Sequence, residues 1–238
     1  MAFPVNPDEV KNISDLFLLI EEKWPTSGVL IFRGESKKHD HFLCPSIFRD
    51  GQPAREFHRY ETFYRKYNQG ENRDVMFDSL HSEHHALSLP FIALSQHYGV
   101  KTRLLDVTLN PLIAFYFAAS SNPGEDGYIF FFTESYIDIS RSEQSHRLDT
   151  LIQSGVIEGF NPKDDTCLFY RPNWPNARIV AQHAAFILTK GFSQKIWSGG
   201  GIFKIPSARK QEIMRQLNRF DITEQSLFPQ LTPICKRD

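Results

Sequence analysis

The chain has 238 residues, 41% of them apolar and 23% charged, with twenty-one phenylalanines and a formal net charge of −1. That length suits one large domain or two small ones around a phenylalanine-rich core, and the composition excludes a disordered or fibrous chain. The near-zero charge predicts no global field toward nucleic acid or an anionic membrane, while the lack of a leader pattern or of an apolar run of about 20 residues predicts a cytoplasmic protein that no membrane holds.

Cys44, Cys167 and Cys235 are odd in number and far apart. They suggest neither a disulfide framework nor a cysteine-based zinc knuckle, and a reducing compartment suits them.

Asn12 and Asp15 resemble a capping arrangement, after which Ile13, Leu16, Phe17 and Ile20 share one helical face until Trp24-Pro25 stops the helix. Val29-Leu30-Ile31-Phe32 reads as a buried strand ending at Arg33-Gly34-Glu35. From Ala54 to Asn68, Phe57, Tyr60, Tyr64 and Tyr67 recur at helical spacing. Pro90 opens a further helix that carries Phe91, Ile92 and Leu94 and closes at Gly99. A strand over Thr102–Thr108 follows, and Asn110-Pro111 is a cap and first-turn pair for a helix through Ala114, Tyr116, Phe117 and Ala118.

Asn122-Pro123-Gly124 breaks that helix, and Gly127–Phe132 is a continuous apolar strand expected at the centre of a sheet. The stretch from Glu134 to Asp165 reads mostly as loops with short helical pieces, and Arg178–Leu188 as one strand, a turn or bulge around Gln182, and another strand. Gly201–Ile205 adds one more strand. Ser207 then caps a helix whose apolar face is Ile213, Met214, Leu217 and Phe220, and Leu227-Phe228-Pro229 anchors the tail. No repeat, low-complexity tract or long linker divides the chain, so the expected fold class is α+β: a single domain over 1–238, with an N-terminal helix in 1–27 and a C-terminal helix and tail in 207–238.

Several residues suit chemistry. Arg33 carries a planar fork of donors that fits a phosphate or a ribose edge, and Gly34 beside it would let a ligand approach the backbone. The competing expectation is an internal ion pair of Arg33 with Glu35 or Asp106. Arg103 and Asp106 lie three apart on a strand and point to opposite faces, whereas Asp106 and Thr108 share a face with Leu104 and can enter one cleft. The helix start at Asn110 supplies free main-chain donors. His97-Tyr98 reads either as a helix end or as a pair lining a cleft. His81, His84 and His85 do not follow the His-Glu-x-x-His order and read as a solvated face, so no metal is expected. Patterns for a serine-hydrolase elbow, a phosphate-binding Gly-Lys-Ser/Thr loop and a Gly-x-Gly-x-x-Gly turn are absent, and Gly199-Gly200-Gly201 reads as a flexible turn.

The chain resembles the FRG domain family, named for the tripeptide found here as Phe32-Arg33-Gly34. Leu43–Arg49 looks like the second block, and Gln96–Gly99 through Thr102–Thr108 with Asn110-Pro111-Leu112 and Tyr116-Phe117-Ala118 like the central one. Asn176–Ile179 with Gln182 and Phe186, then Leu227-Phe228-Pro229, resemble the closing blocks. The order of elements is in turn distantly similar to the ADP-ribosyltransferase core, which implies a mixed, split β-sheet flanked by helices.

That similarity implies NAD as substrate, held by Arg33, Gly34, His97, Tyr98, Arg103 and Thr108, with Arg33, Asp106 and Gln182 as the catalytic set. Gln182 stands where many transferases carry glutamate, and an amide cannot stabilise a developing oxocarbenium charge as a carboxylate does. Either Asp106 or another acid takes that role, or the analogy fails. The implied activity is mono-ADP-ribosyl transfer, or NAD glycohydrolysis, toward a macromolecular acceptor, protein or RNA, in a toxin or phage-defence setting with an antitoxin or other neutralising protein as partner. The alternative is a non-catalytic module that binds a nucleotide, nucleic acid or protein in the same cleft.

Overall fold

A computed structural model of the chain describes residues 7–23, 30–39, 43–49, 55–69, 88–132, 136–138, 140, 167–172, 177–188 and 201–229. In chain order the elements are β1 (Asp8–Glu9), α1 (Ile13–Lys23), β2 (Ile31–Glu35), α2 (Ser46–Arg49), α3 (Glu56–Gln69), α4 (Leu89–His97), β3 (Leu104–Thr108) and α5 (Pro111–Ala119). They continue as β4 (Gly127–Phe132), β5 (Tyr136–Asp138), β6 (Cys167–Tyr170), α6 (Ala177–Ala181), β7 (Ala184–Leu188), β8 (Gly201–Ile205), α7 (Lys210–Asn218) and α8 (Glu224–Leu227).

Among the described residues the strands form one eight-stranded sheet in the order β1-β8-β4-β2-β3-β7-β6-β5. It is mixed: β1 with β8 and β5 with β6 pair in parallel, and the other neighbours are antiparallel. The fold class is therefore α+β. The sheet is continuous, so the expected split is not a separation into two sheets. Its middle is nevertheless thin, because β2 and β3 share a single register pair, Phe32 with Thr108, whereas β2 and β4 share five. Continuing that register would set Gly34 opposite Asp106, and there the ladder has already stopped.

Side-chain alternation along the strands sorts the core into faces. Phe32, Ile129, Phe131, Phe203 and Ile205 turn toward α5 and α7, with Leu16 of α1 completing the cluster. Leu104, Phe186 and Leu188 point to the same side and meet Tyr60 of α3 and Ile92 of α4. Ile31, Leu105, Val107, Phe130 and Ile187 fill the other face. All six residues of β4 are buried, as the unbroken apolar run Gly127–Phe132 predicts, and each such large side chain contributes about 1.5–3 kcal/mol of transfer free energy.

Gly34 and Gly127 let α5 lie close on the sheet. A Cβ on Gly34 would stand 1.9 Å from the main-chain oxygen of Ala114, and one on Gly127 would stand 2.2 Å from that of Ala118. Helix α5 starts as expected, with Asn110 Oδ1 accepting from Leu112 N at 2.9 Å. Its far end is held by Lys210, whose buried Nζ donates to the main-chain oxygens of Ser36, Ser121 and Asn122. At the start of α1, Asn12 Oδ1 accepts from Asp15 N at 2.9 Å, and Gln216 Oε1 of α7 accepts from Ile13 N at 3.1 Å.

Several sequence expectations are corrected. Strand β2 runs through Arg33 to Glu35, so Arg33 lies within the strand and not at its end. Ala177–Ala181 is a helical turn, not a strand, closed by Gln182 N on Arg178 O and His183 N on Val180 O, both at 3.0 Å, with His183 turning the chain at a φ of 44°. Tyr136–Asp138 is a strand within the stretch read as loop; the rest of Glu134 to Asp165, apart from Ser140, lies outside the described residues. Ser207 makes no side-chain cap, since a 3-10 turn over Ser207–Arg209 precedes α7 and Ser207 N donates to Asp126 Oδ1 at 2.8 Å. Phe17 and Phe220 are 42% and 61% exposed, so neither belongs to the buried face assigned to it.

Candidate functional site

Where β2 and β3 part, a cavity of about 230 Å³ opens over the seam. Phe32, Gly34 and Thr108 border it from the strands, Gln96 from α4 and Phe117 from α5, and Arg33, Asp106, Arg178 and Gln182 bring the polar groups. Among the described lining residues, Asp106 alone carries a carboxylate.

Asp106 is exposed in the middle of a strand whose other four residues are buried. Gln96 Nε2 donates to its Oδ2 at 2.6 Å. Gln96 is itself held by Thr102, whose Oγ1 donates to Gln96 Oε1 and accepts from Leu104 N at 3.1 Å. Residue 102 is tied to α2, with Thr102 N donating to Ser46 Oγ at 3.1 Å and Thr102 O accepting from Ile47 N at 3.2 Å. This chain of contacts orients the carboxylate from the FRG-like second and central blocks together.

Arg33 springs from the opposite sheet face, by alternation with Phe32 and Gly34, and its guanidinium reaches back to the seam. Nη1 donates to the main-chain oxygen of Asp106 at 2.7 Å, and Nε donates to Glu35 Oε1 at 2.9 Å. Glu35 is 6% exposed, and its Oε2 is buried without a hydrogen-bond partner. The internal pair weighed for Arg33 thus exists, on the same side chain that lines the cavity.

Thr108 Oγ1 donates to the main-chain oxygen of Gln182 at 2.8 Å and accepts from Asn110 N at 3.1 Å, fastening the end of β3 to the turn before β7. The Gln182 amide is committed as well: Nε2 donates to Leu227 O at 3.1 Å, so the residue borders the cavity while binding the C-terminal segment. Arg178 is half-buried, with its guanidinium 4.7 Å over the ring of Phe228. Burial pulls this guanidinium below its ordinary value, and the Asp106 carboxylate pushes it back up.

Of the residues picked from sequence, Arg33, Gly34, Asp106, Thr108 and Gln182 come together at the cavity. Arg103 does not. It faces Glu56 of α3, with Nε donating to Oε1 at 2.6 Å and Nη2 to Oε2, while Tyr60 Oη donates to the same carboxylate at 2.7 Å. Tyr98 packs at 5.5 Å from Phe63, away from the cavity. His97 ends α4, and its side chain lies outside what is described. Gly34 serves the close approach of α5 and also borders the cavity.

Sequence reasoning missed Gln96 and Arg178 as site residues. Both stand in the family blocks it had quoted, so block membership was the available signal. His81, His84 and His85 lie outside the described residues, and among those described no group of three or more His, Cys, Asp or Glu side chains is placed to hold a metal ion. No helix among them is long and apolar enough to cross a membrane.

The family model of the FRG domain matches residues 28–127, a stretch that runs from just before β2 to the first residue of β4. Arg33, Gln96, Asp106, Thr108 and Phe117 fall inside it; Arg178 and Gln182 complete the cavity from outside. No curated protein and no solved structure matches the chain.

Proposed function

The chain carries an FRG domain over residues 28–127, and on that premise we propose that the seam cavity takes the reacting end of NAD and that the protein transfers ADP-ribose to a macromolecular acceptor, protein or RNA. The carrying observation is the meeting of one carboxylate, Asp106, with two guanidinia, Arg33 and Arg178, in a cavity set into a break of the central sheet. A dinucleotide needs both kinds of charge: cations for its diphosphate, and an anion for the positive charge that grows on the ribose as the glycosidic bond breaks.

The cavity is smaller than the roughly 300–1,000 Å³ usual for small-molecule sites. It suits one end of the dinucleotide, with the remainder lying outside. In the transfer, the bond between ribose C1′ and the nicotinamide nitrogen breaks and nicotinamide leaves with the electron pair. The acceptor nucleophile bonds C1′ and gives up its proton, for which Asp106 is the base within reach of the cavity. With Gln182 neutral and bound to Leu227 O, Asp106 takes both the electrostatic and the proton-accepting part. Water in place of the acceptor would give NAD glycohydrolysis. A toxin or defence role, with a neutralising partner, belongs to this proposal as its setting.

The test is to incubate the purified protein with NAD labelled in the adenylate and with cell extract, following macromolecular label and free nicotinamide. Both are expected to exceed the no-protein control and to collapse in Asp106→Asn. Nicotinamide release equal to that control overturns the enzymatic reading; stabilisation by NAD in that case identifies a binding module.

A further inference from the structure

Several polar side chains around the cavity are bonded within the fold. Thr108 Oγ1 donates to Gln182 O and accepts from Asn110 N. Gln96 is used at both ends, its Nε2 by Asp106 and its Oε1 by Thr102. Arg33 has Nε on Glu35 and Nη1 on the Asp106 carbonyl, which makes it the latch of the seam.

Two side-chain acceptors on the described walls are not engaged in this way. One is Asp106 Oδ1, since the bond from Gln96 goes to Oδ2. The other is Gln182 Oε1. Gln182 is 8% exposed, and its amide can turn only one way: the Leu227 carbonyl accepts and never donates, so the nitrogen must face it. The amide oxygen is thereby left to the cavity that Gln182 borders, with no partner among the described residues. Main-chain bonds on both sides hold the residue in this pose, Gln182 N donating to Arg178 O at 3.0 Å and Gln182 O accepting from Thr108 Oγ1 at 2.8 Å.

An occupant that strips water from these two oxygens without donating to them leaves both desolvated and unpaired, which opposes its binding. The group that fits must therefore carry two hydrogen-bond donors close together, since Asp106 and Gln182 border one cavity of about 230 Å³. Neighbouring hydroxyls on a single sugar ring meet that requirement. A diphosphate, which only accepts, does not.

We infer that the seam cavity recognises the cis-diol of a ribofuranose, with Gln182 Oε1 and Asp106 Oδ1 each accepting from one hydroxyl. The inference rests on the reading of this cavity as the site for the reacting end of NAD, and it names the part of that end which the walls hold, the ribose beside nicotinamide. Gln182 is then a binding residue that supplies an acceptor without a charge. Asp106 stays the one anion of the described walls. An ionised carboxylate offers about four lone-pair sites, so Asp106 can hold a hydroxyl and still take the proton of the incoming nucleophile.

The experiment measures binding of ADP-ribose by titration calorimetry, beside two analogues that lack the 2- or the 3-hydroxyl of its terminal ribose, to the full chain and to Gln182→Met. ADP-ribose is the probe because it keeps the ribose and has no bond to nicotinamide to break. On the unaltered chain each missing hydroxyl should weaken binding by about 3- to 10-fold, the worth of one hydrogen bond. Gln182→Met keeps the length of the side chain and deletes the acceptor. It should weaken ADP-ribose by a similar factor, after which removing the hydroxyl that Gln182 holds should cost nothing further, while the other hydroxyl keeps its full effect. Melting curves check that the variant is folded, and the analogue series on the unaltered chain stands without it.

Analogues that bind the unaltered chain as tightly as ADP-ribose overturn the inference. So does a folded Gln182→Met chain that loses affinity for all three ligands alike, the result expected if Gln182 only braces Leu227. Hydroxyl-dependent binding without nicotinamide release from NAD upholds the inference and ends the transferase reading. Nicotinamide release with no hydroxyl dependence in binding keeps that reading and strikes the inference. A chain that binds neither ADP-ribose nor NAD overturns both.

Discussion

Arg33 Nη1 donates to the main-chain oxygen of Asp106 at 2.7 Å, so a side chain of β2 bridges a gap that main-chain pairing between β2 and β3 leaves open. The bridge ties fold to site. The same guanidinium neutralises Glu35 behind the sheet and borders the cavity in front of it.

Removing the latch should unsettle the buried charge it serves. Arg33→Met leaves Glu35, only 6% exposed, without its cation and is expected to destabilise the chain by about 3 kcal/mol. Adding Glu35→Gln should restore part of that loss, because the stranded charge is gone. Urea denaturation of the two single variants and the double variant reads the coupling, and strictly additive losses would show that the pair is not coupled.

The tight seat of α5 makes a steric prediction. Gly34→Ala places a methyl 1.9 Å from the Ala114 oxygen and 2.8 Å from Ala118 N, main-chain atoms that move only if the helix lifts. A loss of about 3 kcal/mol or more is expected, at or beyond the upper end for an overpacked core. Gly124→Ala, with nothing within 4 Å of the new methyl, is the matched control and should change the melting temperature little.

Tyr60 gives stability a dependence on alkaline pH. Burial, then the charge and hydrogen bond of Glu56, hold its phenol far above the ordinary value, and burial raises Tyr170 as well. The folded-state values exceed the unfolded ones, so this contribution is complete below about pH 10 and declines as pH climbs past it, where the unfolded chain ionises and the folded one does not. Denaturation at about pH 8 and about pH 11 should show the decline, and Tyr60→Phe should flatten part of it. An unchanged pH slope in Tyr60→Phe would contradict the burial argument.

Asp106→Asn separates chemistry from binding. The amide keeps size and one acceptor for Gln96 Nε2 while losing the charge. Under the proposed transfer, nicotinamide release should drop by about 100- to 1,000-fold, the scale of losing one electrostatic stabiliser of a transition state. NAD affinity should change far less. A variant that turns over at the normal rate would take Asp106 out of the reaction.

Much of the architecture was legible because its signals are local. Asn110-Pro111 announces α5, the run Gly127–Phe132 announces a fully buried strand, and alternation places Asp106 and Thr108 on one face of β3. The errors arose where distant partners decide. Arg178 to Ala181 alternates like a strand but closes a helical turn, the exposure of Phe17 depends on which flank of α1 packs inward, and Phe220 stands in the turn beyond the end of α7.

By itself the sequence determined the family blocks, most element boundaries and a set of polar residues, part of which line the cavity. Only the tertiary structure decided that Arg103 turns to Glu56, 47 residues earlier, that Gly34 makes room for a helix, and that Gln182 holds the chain at Leu227, 45 residues later. The reason is physical: periodicity states which side of its own element a residue occupies, whereas a cavity exists only where separate elements fail to close on one another. Here that place is the single-pair junction of β2 with β3, and a one-pair junction leaves no local pattern in either strand.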